Sequence, residues 1–389
     1  NWTYSFDLDG DLVWDAFFLH ALVCESTEQG SKLWLSNQGS HSNHIENALH
    51  DHNAAMAGPG QEQWNHACDL CCAVETVDGS EAYMRAVVMD GVTIGHPCCG
   101  VYDCQEPLPN QRAHFCGSHT SEADLCTVTS CQMKADAGHK TCDNPGHRAL
   151  ETTGSDEHSA MFQLQKQLER SKAVHLVDSV GRGTGSTPGE DEVVEFDETG
   201  ECTGKPDTGN SKPHARFGWR CTHNEQLCVG TCGVVLGRAT FYGSEGVSGC
   251  RVDILCCLFP TPLSLPQFIF FNNSCSLKKH LQNIQDHYFD HIAMPVDIFH
   301  MKSKHKESDL FCGQHCNPAS WPALIKNGKW RFNSSTAEMT NAWFGGFQAI
   351  VREMREDRYN FFLDEMVKLH NRMVVANLAN RKAYPYQIP

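Results

Sequence analysis

The large number of cysteines and histidines is the feature that most limits what this chain can fold into. Its 389 residues include 21 cysteines and 22 histidines. An odd cysteine count, with adjacent pairs at Cys71-Cys72, Cys98-Cys99 and Cys256-Cys257, fits a disulfide framework poorly. Cysteines and histidines mixed at short spacings are typical of zinc sites. We therefore expect zinc in place of disulfides, and an intracellular, reducing compartment.

The candidate zinc ligands of residues 68–147 occur in close pairs. A tetrahedral zinc site needs four donors, and one tight turn presents two of them at once. The number of pairs predicts two to three structural Zn²⁺ ions, although the spacing does not determine which pairs share an ion. Cys72 and Cys98 are expected to be ordinary buried cysteines, and His66 and His114 are weaker candidates. The predicted metal ligands are Cys68, Cys71, Cys99, Cys104, Cys116, His119, Cys126, Cys131, His139, Cys142 and His147.

A second, weaker group of donors lies towards the end of the chain. Five donors within seventeen residues could hold one zinc ion. They are also compatible with ordinary surface and core side chains, and the spacing leaves both interpretations open. The group consists of His300, His305, Cys312, His315 and Cys316.

Hydrophobic periodicity predicts a mixed α/β (α+β) fold, in which a loop-rich cysteine-cluster insertion interrupts the core. The insertion has little apolar periodicity, so zinc must replace its missing core. We expect four segments: an N-terminal helical segment (1–67), a zinc-binding cysteine cluster (68–150) that contains the first core strand at 82–95, a helix with an acidic flexible linker (151–210), and the core with its C-terminal helices (211–389).

The individual elements follow from the spacing of apolar residues and turn formers. We expect Ser155 to cap the third helix and Gly345-Gly346 to bend the last one. Helices are predicted over 12–21, 45–57, 155–172, 274–288 and 336–377, and strands over 81–95, 215–220, 227–236, 238–242, 251–259 and 267–271.

Charge and hydropathy limit which surfaces of the chain can bind DNA and whether it can enter a membrane. The formal net charge of −16 argues against a surface that is basic throughout. Residues 151–210 contain thirteen acidic and five basic residues, so any DNA-facing surface must lie elsewhere.

Prolines interrupt the apolar stretch 254–271, so no membrane segment is expected. The first ten residues hold acidic but no basic groups, so no secretory signal is visible, and the start at Asn1 indicates a truncated chain.

Three polar positions occur in the order strand, strand end and helix. Asp90 lies in the first predicted strand, Asn272 follows the strand 267–271, and Glu338 lies near the start of the long helix. In ribonuclease-H-like nucleases, acids in this order hold two Mg²⁺ ions that activate the attacking oxygen and stabilise the leaving one. Spacing alone is weak evidence, because Asp90 also fits an Asp-Gly turn and Glu338 a first-turn helix acid.

Four sequence strings resemble Kyakuja-Dileera-Zisupton (KDZ) transposases, specifically those with an inserted CxC-type, CxC6-like cysteine cluster. The strings are residues 64–72, 90–99, 312–318 and 333–338, and the likeness extends over most of the chain. The resemblance implies a ribonuclease-H-like DDE transposase core derived from a transposable element. It also implies a nuclear protein that binds the DNA of transposon ends and associates with itself.

The resemblance makes Asp90 the first catalytic acid and Glu338 the last. The aromatic-Asp-Asn-Ala-Cys string of the family appears here as residues 271–275, so Asn272 stands where the second acid is expected. An amide carries no negative charge, and two Mg²⁺ ions need anionic ligands. We therefore expect cleavage and strand transfer to be impaired.

Two alternatives to an impaired transposase remain. The first is a still-active DDE transposase or nuclease, in which another acid compensates for Asn272, and Asp297 beside His300 is the best placed. The second is a non-enzymatic zinc module that binds chromatin or a protein partner.

Overall fold

The computed structural model describes residues 10–36, 44–77, 80–128, 131–157, 215, 217–243, 246–303, 305 and 309–388. The chain divides into two compact units. The first, here called the core unit, comprises Asn1–Ala113 and Cys221–Pro389. The second, the cysteine unit, is His114–Arg220.

A five-stranded sheet forms the centre of the core unit. Its strands are β1 (Cys72–Val77), β2 (Ser80–Val92), β3 (Asn224–Gly230), β4 (Val235–Phe241) and β5 (Phe268–Phe271). Strands β1 to β4 are antiparallel to their neighbours, whereas β5 is parallel to β2. Strand β2 is central, because Val88 pairs with Val229 of β3 and with Phe270 of β5.

Most of the helices that the apolar periodicity predicts are present. The predicted break in the last helix is confirmed at the 3₁₀ turn Gly345–Phe347. The helices are α1 (Gly10–Glu28), α2 (Glu46–Met56), α3 (Pro145–Glu157), α4 (Val247–Gly249, continued by the π-helix Cys250–Cys256), α5 (Ser274–Asn283), α6 (Ile298–Ser303), α7 (Leu310–His315), α8 (Thr336–Phe344), α9 (Gln348–Val351) and α10 (Glu356–Asn380).

Short elements complete the backbone. Strand His66–Ala67 pairs with Tyr386–Gln387, and Ile325–Lys326 pairs with Lys329–Trp330, both antiparallel. The remaining two-residue strands are Pro97–Cys98 and Arg220–Cys221. Further 3₁₀ turns are Gly58–Gly60, Gly117–Asp124, Pro318–Ser320 and Pro322–Leu324.

Two apolar clusters cover the two faces of the sheet. Alternate residues of a strand point to opposite faces, so Ala86 and Val88 join one cluster while Val87 and Met89 join the other. The first cluster includes Phe18 of α1 together with apolar residues of α10, and the second includes the apolar side of the π-helix and α5. Both faces of β2 are therefore buried from Arg85 to Met89, and Asp90 directly follows this buried stretch.

A buried ion network joins α10 to the sheet. Arg238 of β4 lies 2.9 Å from both Glu225 and Asp364, and its guanidinium also donates to the backbone oxygen of Asn360 at 2.8 Å. The three charged side chains are almost completely buried. The opposite charges compensate one another's desolvation, which explains how polar residues occupy a strand that is buried along its whole length.

Two strand predictions in the core unit are wrong. The predicted strand 227–236 is a hairpin of β3 and β4, because Gly233 has φ +99°, which favours glycine and turns the chain. The predicted strand 251–259 belongs to the helical segment after α4. Ile254, Leu255, Leu258 and Phe259 are buried together at helical spacing, so the apolar run is one face of a helix.

The cysteine unit contains few regular elements. They are the 3₁₀ turn Gly117–Asp124, helix α3 and single bridges, one of them between Val128 and Ala215 in the predicted strand 215–220. Ser155 does not cap a helix, because α3 already begins at Pro145. The remainder of the predicted helix 155–172 and the acidic linker to residue 210 lie outside the described residues.

No helix among the described residues is long and apolar enough to cross a membrane.

Candidate metal centres and carboxylate site

Strand pairing places Asp90 beside Asn272. Met89 of β2 pairs with Phe271 of β5 in a parallel register, so the next residue of each strand meets the other at the same end of the sheet. Asn272 Nδ2 donates a hydrogen bond of 3.1 Å to Asp90 Oδ1. Asn341 Nδ2 of α8 donates to Asp90 Oδ2 at 2.9 Å. Each oxygen of the Asp90 carboxylate therefore accepts a hydrogen bond from an amide side chain.

Glu338 approaches the same end of the sheet from α8. It precedes Asn341 by three residues, so both side chains lie on one face of the helix. Glu338 Oε1 lies 3.2 Å from His300 Nδ1, which also lies 3.2 Å from Asp297 Oδ1. The structure thus gathers Asp90, Asn272 and Glu338 into one site, which we call the carboxylate site.

Burial and neighbouring charges set the acidities in this site. Burial raises the pKa of Asp90 to about 6; the negative charge of Glu338 acts in the same direction, whereas the Gly91 backbone and His300 oppose it. Burial also acts to raise the pKa of Asp297, but the nearby Ser334 hydroxyl and hydrogen bonds from the His300 backbone and ring bring it below its ordinary value. Asp297 therefore retains its negative charge more strongly than Asp90 does.

A first thiol-rich group, here called the core thiol cluster, consists of His66, Cys68, Cys71 and Cys232. Their donor atoms all lie within 4.8 Å of one another. Cys68 Sγ is 3.7 Å from Cys71 Sγ, and the Cys71 amide donates to the Cys68 carbonyl at 3.0 Å, which forms a tight turn. The turn between β3 and β4 supplies Cys232. The predicted pair Cys68 and Cys71 is therefore joined by two residues from outside the predicted ligand set.

The chemistry of the core thiol cluster fits a bound cation. His66 Nε2 is buried and has no hydrogen-bond partner within the described part of the chain, although buried polar atoms normally have one. Hydrogen bonds from Cys232 and Cys71 lower the pKa of the Cys68 thiol. The neighbouring Cys68 raises the pKa of Cys232 to about 12, because a second thiolate is unfavourable beside the first. A zinc ion would stabilise several thiolates and accept His66 as a ligand.

A second group, the cysteine-unit cluster, consists of Cys126, Cys131, Cys142 and His147, with donor atoms within 4.8 Å of one another. His147 Nδ1 lies 3.3 Å from Cys142 Sγ and 3.5 Å from Cys126 Sγ. All four are predicted ligands. The structure therefore resolves one pairing that the sequence leaves open.

Five further predicted ligands lie outside these two clusters. His139 does not join the cysteine-unit cluster, since its ring is half-exposed and lies 3.6 Å from Glu151 Oε2. Cys116 Sγ lies 3.1 Å from His119 Nδ1 in the cysteine unit. Cys99 is buried and Cys104 half-buried in the core unit. Of the weaker candidates, His114 instead packs against Trp219.

A third group, the Cys275 cluster, comprises Cys275, His305 and Cys312, again with donor atoms within 4.8 Å of one another. His305 Nδ1 is 3.1 Å from Cys312 Sγ and 3.7 Å from Cys275 Sγ. A hydrogen bond from Cys316 raises the pKa of Cys275, so Cys316 lies beside Cys275, although it is not among the donors that lie within 4.8 Å of one another. His305 Nε2 lies 3.2 Å from the backbone oxygen of Asn272, which connects this cluster to the carboxylate site.

The weaker group of five donors therefore divides. His305 and Cys312 join Cys275, whereas His300 faces Asp297 and Glu338, and His315 packs against Phe311. The sequence gave His66 only as a weaker candidate and did not indicate Cys232 or Cys275 as partners. For Cys232, the neighbouring Gly233 marks a turn that could present a ligand, but no spacing connects it to Cys68 across more than 160 residues.

Comparison with known proteins identifies the cysteine-rich segment. A family model described as a CxC6 like cysteine cluster associated with KDZ transposases matches residues 88–153. This match confirms the resemblance for the cysteine cluster, and the matched segment contains Asp90 and nine of the eleven predicted metal ligands. No curated protein and no solved structure gives a significant match.

Proposed function

We propose that this chain, which carries a CxC6-like cysteine cluster of the kind associated with KDZ transposases, is a KDZ transposase-like protein derived from a transposable element. In this proposal it is a nuclear, self-associating protein that binds the DNA of transposon ends. Its ancestral two-metal cleavage and strand transfer are impaired. The hydrogen bond from Asn272 to Asp90 is the observation that supports impaired catalysis.

The sheet supports a ribonuclease-H-like core. Such a nuclease needs a strand acid, a strand-end acid and a helix acid close together, and two Mg²⁺ ions need several anionic oxygens around them. The parallel pairing of β5 with β2 brings the first two positions side by side, and α8 adds Glu338. At the second position, however, an amide donates to Asp90, so one negative charge is missing and Asp90 is engaged by hydrogen-bond donors.

Zinc is the ion that the thiol-rich groups fit best. Thiolate and imidazole ligands in sets of four are typical of structural zinc. The core thiol cluster and the cysteine-unit cluster each offer four such donors, and the Cys275 cluster offers three with Cys316 nearby. We infer a structural role for zinc in all three, with Mg²⁺ reserved for residual activity at the carboxylate site.

An exposed hairpin provides a candidate DNA contact. Strands Ile325–Lys326 and Lys329–Trp330 are joined by Asn327 and Gly328, which both have the positive φ angles of a tight hairpin turn. Lys326 faces Lys329 across the pair, and Trp330 is exposed. Lysines contact phosphates, and an exposed aromatic ring can stack on bases. The hairpin shortly precedes α8, which carries Glu338.

DNA binding is tested by fluorescence anisotropy with labelled duplex and single-stranded DNA at several salt concentrations. The double variant Lys326→Gln/Lys329→Gln should weaken binding and reduce the salt slope by about 2, because two phosphate contacts are lost. The matched control Lys32→Gln/Lys134→Gln has the same charge change at exposed positions elsewhere. Equal losses in both variants would show that the hairpin is not the contact, and no binding at low salt would refute the DNA proposal.

Catalysis is tested by nicking of supercoiled DNA with Mg²⁺ or Mn²⁺. We expect the natural chain to be slow and Asn272→Asp to be faster, since the substitution restores the missing charge. Nicking by the natural chain that is as fast as that of Asn272→Asp, and is abolished by Asp90→Asn, would instead identify a still-active nuclease.

A further inference from the structure

Asp297, His300 and Glu338 form a group in the carboxylate site that does not use Asn272. Each offers one ligand atom, and these three atoms all lie within 4.8 Å of one another. The imidazole Nδ1 of His300 lies 3.2 Å from an oxygen of each acid. Donor atoms bound to one metal ion have separations of this size, because each lies about 2 Å from the ion.

The local backbone holds Asp297 in place. It directly precedes α6, and its Oδ1 accepts from the amides of Phe299 and His300 at 2.9 Å and 3.1 Å. Its other oxygen, Oδ2, is buried and has no hydrogen-bond partner among the described residues. A buried carboxylate oxygen without a donor is unfavourable unless a cation is close.

Charge in this part of the site is unbalanced. Asp90, Asp297 and Glu338 place three carboxylates around the single imidazole of His300, and the charge of Glu338 acts on Asp90. The site also has a solvent-facing side, since the Glu338 side chain is 40% exposed while that of Asp297 is 4% exposed. A cation could therefore enter beside Glu338 and reach the buried acid.

We propose that Asp297, His300 and Glu338 bind one divalent transition-metal ion. Two carboxylates and one imidazole suit Mn²⁺ or a similar ion better than Mg²⁺, which prefers oxygen ligands. Three protein ligands leave coordination positions for water or for a phosphate oxygen. The site differs from the ancestral one because neither Asp90 nor Asn272 is a ligand, and its metal binding does not depend on whether the chain binds DNA.

The test is Mn²⁺ binding to zinc-loaded protein, measured by the loss of the electron paramagnetic resonance signal of free Mn²⁺. We expect one Mn²⁺ per chain, and Asp297→Asn should weaken its binding about tenfold or more. Asp290→Asn is the matched control, because Asp290 also pairs with a histidine three residues away, His287, but both are exposed. Mg²⁺ should compete poorly.

Asp297 also stabilises the start of α6, so His300→Gln and Glu338→Gln provide independent variants that leave those backbone contacts intact. Circular dichroism and zinc content verify that each variant is folded. Unchanged Mn²⁺ affinity in all three variants would overturn the proposal. So would a loss of Mn²⁺ in Asp90→Asn with normal binding in Asp297→Asn, since the ion would then occupy the ancestral site.

Discussion

Asn272 and Asp90 are joined by a hydrogen bond of 3.1 Å across the parallel pair β2 and β5. The amide is a donor at the point where a nuclease of this kind needs an acid, so it satisfies Asp90 without adding charge. The register of β2 and β5 thus places an amide, and not an acid, beside Asp90, which is the basis of the proposed loss of catalysis.

Asn272→Asp should lower stability in the absence of divalent ions. The change removes the donor and places a second carboxylate beside Asp90, with a cost of about 1–3 kcal/mol. Mn²⁺ should restore part of this loss, measured as a rise in the thermal unfolding temperature. Asn273→Asp, at the exposed next position, is the control with the same charge change. Equal behaviour of the two variants would mean that position 272 does not face Asp90.

Cys232→Ser should remove one zinc ion per chain, because Cys232 completes the core thiol cluster from a distant turn. Elemental analysis of the purified protein measures the zinc content. Cys24→Ser, an exposed cysteine outside the clusters, should retain the full content. An unchanged zinc content in Cys232→Ser would show that Cys68 and Cys71 bind without it.

His147→Ala and His139→Ala should differ, although sequence reasoning gave both as ligands. His147 lies within hydrogen-bond range of two thiols, whereas His139 faces Glu151. We expect His147→Ala to lose one zinc ion and to increase proteolysis of the cysteine unit, because the ion replaces a core there. His139→Ala should retain its zinc. The reverse result would contradict the ligand set.

Arg238→Met should destabilise the core unit by about 3–5 kcal/mol, because it leaves Glu225 and Asp364 buried without their counter-charge. Urea unfolding followed by tryptophan fluorescence measures the difference. Arg372→Met breaks contacts to Glu28 and Glu62 that are exposed, and such pairs contribute less than about 1 kcal/mol. Similar losses in both variants would argue against a buried network.

His96 should make the fold sensitive to acid. Burial lowers its pKa to about 4, and Arg238 acts in the same direction against the Pro97 carbonyl. The unfolded chain binds a proton near pH 6.5, so stability present above that pH is lost as the pH falls towards 4, by about 3 kcal/mol.

The comparison with His96→Phe isolates this contribution, since both proteins share the same zinc ligands. Free energies of unfolding measured between pH 7 and pH 4 should fall more steeply for the natural chain than for the variant. Parallel pH profiles would show that folding does not lower the pKa of His96.

Local patterns were sufficient for several elements. Helices α1 and α2, strand β5 and the break at Gly345-Gly346 follow from periodicity and turn residues within short windows. The strand prediction for the segment after α4 was wrong, because a short apolar run fits a strand and a buried helix face equally well. Only the packing of Ile254 and Leu258 against the sheet distinguishes them.

The sequence by itself determined the chemistry that is present: an abundance of thiol and imidazole donors, a CxC6-like cluster, and an amide where an acid is expected. The tertiary structure alone decided which donors meet. It joined Cys232 to Cys68, excluded His139, and brought Asp297 and His300 to Glu338. The physical reason is that ligand sets depend on distances across strand pairs and helix ends, and residues far apart in sequence carry no local signal of such contacts.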